Sequence, residues 1–155
     1  MLIVLEGCDG TGKTTLAKLL QTCYNMKYIH CTAETPNDYE FFADIIKRSA
    51  KEDIVCDRFF WGQFVYQEYH ERPLKKDELF SLYILMNTIS KRNRIILVEA
   101  DPFTIRYRLD CRQENTDKPI LDIMQGFRSI ANESCADVPV YRYNTSTGEI
   151  ERMGV

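Results

Sequence analysis

Apolar residues along this chain recur in two rhythms. Short apolar-rich runs, LIVLE (Leu2–Glu6), KYIHC (Lys27–Cys31), DIVCD (Asp53–Asp57), RIILVEA (Arg94–Ala100) and VPVYRY (Val138–Tyr143), have the look of strands buried on both faces. Between them lie stretches that read as helices: Lys13 to about Cys23, Asp38 to about Ala50, Phe60 to about His70, Lys76 to about Lys91, Pro102 to about Cys111 and Lys118 to about Asn132. Strands alternating with helices predict right-handed crossovers and a parallel sheet covered on both faces. The expected fold is therefore α/β: three layers around a five-stranded parallel sheet. Sites in such folds gather at the carboxyl ends of the strands. The positions after Glu6, Cys31, Cys56 and Ala100 are the places to look for chemistry.

Composition narrows the class. The chain has 155 residues, 45% of them hydrophobic, which suits one compact domain spanning residues 1–155. A net charge of -3 argues against a protein that lives on a nucleic-acid backbone. No apolar run approaches the roughly 18 residues of a membrane span. The N-terminal MLIVLEG lacks a basic leader and reads as strand rather than signal peptide. The six cysteines contain no CxxC pair and stand beside only two histidines, so they point to free thiols in a cytoplasmic chain rather than to a zinc site or disulfide framework.

The strongest chemical signal follows the first strand. Gly7-Cys8-Asp9-Gly10-Thr11-Gly12-Lys13-Thr14 fits G-x-x-x-x-G-K-[ST], between a strand and a helix as the mechanism needs. Gly7, Gly10 and Gly12 let backbone amides approach phosphate oxygens, and the helix N-terminus adds partial positive charge. Lys13, expected to be exposed at the loop, would reach the β/γ-phosphates; the Thr14 hydroxyl would bind Mg2+. Asp9, Thr11 and Thr15 complete the expected ATP- or GTP-binding stretch. An accidental glycine turn would not come with this context.

A second stretch, VCDRFFWGQFVYQEY (Val55–Tyr69), begins where the third strand ends, facing the phosphate loop. Asp57 suits either of two roles, holding Mg2+ through water or polarising an acceptor oxygen, and Arg58 suits a second anion. Gln63, Tyr66 and Gln67 alternate with Phe59, Phe60, Trp61 and Phe64. That is the pattern of a helix on its core, and also of residues able to stack on a base and bond its edge. A third stretch, DPFTIRYRLDCRQENTDKP, carries Arg106, Arg108 and Arg112 after the fourth strand. Arg108 and Arg112 share a helical face. Arginines over a phosphate site neutralise a transferring phosphoryl group.

EGCDGTGKTT resembles the E-G-x-D-G-x-G-K-T-T loop of thymidylate kinases, and DRFFWGQFVYQ is similar to their D-R-Y-x-x-S-x-x-A-Y-Q. Asp57, Arg58, Tyr66 and Gln67 match in spacing; Phe59, Gly62 and Val65 depart from it. The resemblance implies that Arg58 binds the acceptor monophosphate, that Tyr66 packs near the sugar 2′ position, and that Asp9 approaches the 3′-hydroxyl. It also implies a homodimer. Glycine at position 10 together with Arg108-Leu-Asp-Cys-Arg112 resembles members that carry their arginines in a lid, here about residues 103–118. The aromatic–arginine pair that members use to stack on and read thymine is missing between strands two and three. Phe41 or Phe42 stacks instead, and Arg48 solvates its helix. Such trimmed chains resemble virus- or prophage-encoded kinases, some of which handle modified pyrimidines.

The resulting expectation is a kinase moving the γ-phosphoryl group of ATP, with Mg2+, to a small-molecule nucleotide: a deoxynucleoside monophosphate such as dTMP or a modified dUMP. A kinase acting on a deoxynucleoside or a hydroxymethylated base in DNA is the alternative, although it would not need an anion grip at Arg58. A non-catalytic nucleotide switch is a further alternative; no N-K-x-D guanine motif accompanies it.

Overall fold

A computed structural model describes residues 1–32, 34–36, 38–66, 74–114 and 119–154. Its strands are β1 (Leu2–Glu6), β2 (Lys27–His30), β3 (Ile54–Asp57), β4 (Arg94–Glu99), β5 (Val140–Asn144) and β6 (Ile150–Arg152). They form one sheet in the order β2-β3-β1-β4-β5-β6. The first five are parallel, as the alternation of strands and helices demands, whereas β6 pairs antiparallel to β5. The sheet thus has six strands rather than the expected five. The addition is a hairpin: the Gly148 amide donates to the Asn144 carbonyl and Asn144 to the Glu149 carbonyl, with Gly148 at φ 78° supplying the left-handed residue of the turn. An exposed three-residue strand carries no buried apolar run, so the hydrophobic pattern does not reveal it.

Six helices follow the predicted places: α1 (Lys13–Tyr24), α2 (Tyr39–Arg48), α3 (Trp61–Val65), α4 (Lys76–Ile89), α5 (Pro102–Cys111) and α6 (Ile120–Ser134). The described part of α3 is shorter than the predicted helix; residues 67–70 lie outside the described residues. Alternation along the strands divides the core. Leu2, Val4, Ile54, Cys56, Ile95 and Leu97 face one layer, with α2, α4 and α6. Ile3, Leu5, Val55, Ile96 and Val98 face the other, with Ala17 of α1. Among the described residues no helix is long and apolar enough to cross a membrane.

The larger core is knitted by aromatic rings. Phe42 meets Phe59 at 4.7 Å and Phe60 at 5.8 Å, both edge-on. The Trp61 indole donates to Tyr83 Oη at 2.7 Å, and that hydroxyl lies 2.5 Å from Ser134 Oγ, tying α3, α4 and α6 through one buried polar chain. Phe42 is fully buried. Phe42→Ala should therefore open a cavity and cost about 3–5 kcal/mol, read from urea unfolding; a loss under about 1 kcal/mol would mean that the site collapses freely.

Candidate active site

The phosphate loop joins β1 to α1, and its glycines are dictated by what they touch. A Cβ on Gly7, at φ 137°, would stand 2.3 Å from the Val98 carbonyl oxygen, so the loop leaves the sheet flush against β4. A Cβ on Gly10, at φ 81°, would meet Ile105 Cγ2 at 3.1 Å and the Ile105 carbonyl oxygen at 3.2 Å. Position 10 is pressed against α5, so any side chain there would be tight and strained.

Lys13, expected to be exposed at the loop, is instead buried, 4% accessible. Its ammonium folds across the loop and donates to the Cys8 carbonyl at 2.6 Å. Burial, then the Arg58 charge, lower its pKa. Gly12 caps α1, and Thr14 and Thr15 open that helix at the surface. Thr14 Oγ1 donates to Asp57 Oδ2 at 2.5 Å, and Tyr28 Oη donates to the same oxygen at 3.2 Å. Asp57 Oδ1 is buried without a hydrogen-bond partner. An orphaned carboxylate oxygen beside a hydroxyl is a hard donor set, the kind Mg2+ takes. Among the described residues no group of three or more His, Cys, Asp and Glu side chains is placed to hold a metal. Two protein oxygens fit an ion that keeps its waters and binds phosphate.

Arg58 follows β3 in the left-handed region, at φ 66°. A non-glycine residue pays roughly 1–2 kcal/mol for that conformation. Its amide donates to the Leu5 carbonyl at 3.0 Å, and its guanidinium pairs with the Asp9 carboxylate of the phosphate loop. Tyr66, half-buried, packs edge-on against Phe127 at 6.1 Å. Burial and the nearby Asp9 charge push its phenol well up, so it stays protonated.

Two predicted base contacts are corrected. Phe42 packs in the core and offers no face to a ligand; of the neighbouring pair, only Phe41 is half-buried. Gln63 is 2% accessible, and its carbonyl accepts from the Leu74 amide at 3.0 Å, a tie between α3 and the chain entering α4. A polar residue interleaved with aromatics reads the same whether it meets a ligand or a buried amide. Gln67 lies outside the described residues. Arg48 is ion-paired with Glu52 at 3.1 Å, at the far end of α2.

On the lid side, Arg108 and Arg112 do not act alike. Arg108 Nη1 donates to the Gly10 carbonyl and to Thr145 Oγ1, each at 3.1 Å. Arg112 caps α5 and pairs with Glu114 at 3.4 Å in solvent. Both line a cleft of about 660 Å3 together with Lys13, Thr14 and Arg58. Thr145, just past β5, was missed from sequence because no reading marked that strand end; the NTSTG turn is the only signal there. Glu99 and Arg128 were missed too. Arg128 Nε donates to the buried Glu99 Oε1 at 2.6 Å, bringing α6 to the end of β4.

No protein-family model matches the chain. Over 148 aligned residues it is 30% identical to a thymidylate kinase of Campylobacter hominis, a match covering 76% of this chain and 75% of that one. The chain belongs to the thymidylate kinase family. It is accordingly a P-loop nucleotide kinase. A probable thymidylate kinase of Methanococcus vannielii is 25% identical across 91% of the chain and 83% of its own length. Among solved structures, the YorR protein of Bacillus subtilis, determined with phosphorylated GDP, superposes with a TM-score of 0.70 at 24% identity, covering 96% and 87% of the two chains. Deoxyadenosine kinase of M. mycoides with bound dCTP gives 0.59 at 14% identity over 93% and 90%. Both likenesses are of fold.

Beneath this kinase's loop, Glu6 is 1% accessible and accepts from the Trp61 amide at 2.8 Å. Burial raises its pKa from 4.5 to about 7, against the pull of the Trp61 amide, Lys13 and Arg58. The folded chain prefers the protonated acid. Its contribution, about 3 kcal/mol, is fully present below about pH 4.5 and is lost as the pH rises through 7. Glu6→Gln keeps the acceptor for Trp61 and removes the titration. Urea unfolding between pH 5 and 8 should show wild-type stability falling relative to the variant; parallel curves would contradict the assignment.

Proposed function

We propose that the enzyme transfers the γ-phosphoryl group of ATP to a deoxynucleoside monophosphate, a pyrimidine such as dTMP or a modified dUMP, to give the diphosphate. The observation that carries this reading is Arg58. A fork of fixed positive charge, held in a strained conformation beside the phosphate loop and paired to Asp9, suits a second phosphate. A nucleoside acceptor would bring no anion for it. Membership of the thymidylate kinase family supports the same substrate class.

The roles then follow from charge and position. Backbone amides of Gly7 to Thr15 and the α1 N-terminus hold the donor phosphates. Lys13 leaves the Cys8 carbonyl for the β/γ-phosphates, an exchange of one oxygen partner for another. Thr14 and Asp57 hold Mg2+, which when bound draws charge from the transferring group. Arg58 grips the acceptor phosphate, Asp9 takes the sugar 3′-hydroxyl when Arg58 turns to the anion, and Tyr66 covers the sugar face. Phe41 is the remaining aromatic of the α2 pair for stacking. Arg108, with Arg112 at the rim, supplies the charge that a glycine at position 10 does not carry. The lid reading covers residues 103–118, of which 115–118 lie outside the described residues. Transfer here is positioning and neutralisation rather than covalent chemistry, and a closed cleft keeps water from the phosphoryl group.

A panel pairing ATP with each deoxynucleoside monophosphate, each deoxynucleoside and hydroxymethylated DNA decides the acceptor class. Pyrimidine monophosphates should turn over fastest; preference for nucleosides or DNA would overturn the proposal. Arg58→Ala should raise the acceptor KM by about tenfold or more, as loss of a charge-assisted contact does, and leave the ATP KM nearly unchanged. Arginine and alanine pay a similar penalty at φ 66°, so the melting temperature should move little. An unchanged acceptor KM would remove the anion grip.

A further inference from the structure

Arg108 is not a side chain waiting in solvent. Its Nη1 is held between two oxygens, the Gly10 carbonyl and Thr145 Oγ1, both at 3.1 Å. Thr145 in turn donates its hydroxyl hydrogen to the Thr11 carbonyl at 2.8 Å. One hydroxyl therefore uses its single donor on the phosphate loop and a lone pair on the arginine, which leaves its rotation no freedom. The backbone that carries it is pinned as well. The Thr145 amide donates to the Glu99 carbonyl at the end of β4, at 2.8 Å. Next to it, Ser146 Oγ donates to Asp101 Oδ2 at 2.7 Å and accepts the Asp101 amide at 3.0 Å, at the N-cap of α5. The turn thus touches β4, the start of α5 and the phosphate loop at once. It also fills the space over the loop: a Cβ on Gly12 would lie 3.5 Å from Thr145 Cγ2 and 3.6 Å from Arg108 Nη1.

We infer that Thr145 is a positioning residue for phosphoryl transfer, its hydroxyl tying the Arg108 guanidinium to the Thr11 carbonyl of the phosphate loop beside the direct Arg108–Gly10 bond. The inference rests on the reading above in which Arg108 serves the transferring group. A guanidinium on a long stem loses rate when its head is misplaced by even about an ångström. Thr145 removes that freedom before substrate arrives, and it couples the arginine's position to the loop that holds the donor phosphates. No bond to substrate is required of Thr145 itself.

Thr145→Val keeps the shape and deletes both hydrogen bonds; Thr145→Ser restores the hydroxyl. Single-turnover transfer is measured for both, for Arg108→Ala, and for Arg108→Ala combined with Thr145→Val, with thermal melting alongside. Thr145→Val should lower kcat about tenfold with acceptor KM changed less than about threefold, and Thr145→Ser should recover most of the rate. In the Arg108→Ala background, Thr145→Val should cost less than about twofold, because the group it positions is gone. Equal losses in both backgrounds would mean that Thr145 acts on the loop or on stability alone, and would overturn the inference while leaving Arg108 its role. A near-normal Arg108→Ala enzyme would instead overturn the reading of Arg108, and the inference with it. A Thr145→Val enzyme with unchanged kcat would overturn the inference outright.

Discussion

Three carboxylates that water barely reaches stand at the carboxyl ends of three adjacent strands: Glu6 on β1, Asp57 on β3 and Glu99 on β4. A buried acid is costly unless it is hydrogen-bonded, paired or protonated. Each one therefore draws a helix to itself. Glu6 takes the Trp61 amide at the start of α3, Asp57 the Thr14 hydroxyl at the start of α1, and Glu99 the Arg128 guanidinium of α6. Strand alternation decides which layer answers. Glu6 and Glu99 fall on the face shared with Val4 and Leu97, where α3 and α6 pack. Asp57 falls on the face of Val55, where α1 packs. The same three contacts fix the helices around the phosphate loop.

The loop depends on that frame in a second way. Gly7 lies flush with the β4 backbone, where no side chain fits, and Gly10 lies against α5. A side chain at position 10 would be strained at φ 81° and tight against Ile105 and Leu109, whereas α5 carries Arg108 over the loop. Arg108 already lies on the loop's own carbonyls, while Arg112 sits in solvent. Two arginines on one helical face thus have unequal environments, because only one of them comes over the loop. On the opposite wall Arg58, in its left-handed conformation, presents a second guanidinium.

The strands, the helices and the phosphate loop were legible in the chain because each rests on local chemistry: apolar runs, helical stretches between them, and glycines at fixed spacing. So were Asp57 and Arg58, since a strand end facing the loop is a topological consequence. The short hairpin strand β6 was not, because three exposed residues bury nothing. The burial of Phe42, Gln63 and Lys13 was not legible either. Whether an aromatic or an amide meets a ligand or the core is decided by which neighbours close over it, and those neighbours come from distant segments: Phe59 and Phe60 over Phe42, Leu74 over Gln63.

By itself, then, the sequence determined an α/β chain with a nucleotide-phosphate loop and arginines on two further segments, because strand periodicity and loop stereochemistry act over a few residues. Only the tertiary structure decided which polar groups share the site. Thr145 lies well over a hundred residues from Thr11 and meets it through a single hydroxyl; Glu99 and Arg128 meet across a strand and a helix. Such contacts leave no periodic trace. They exist because parallel pairing brings the carboxyl ends of β1 to β5 to one edge, where a buried polar atom must find its partner among whatever the fold has carried there.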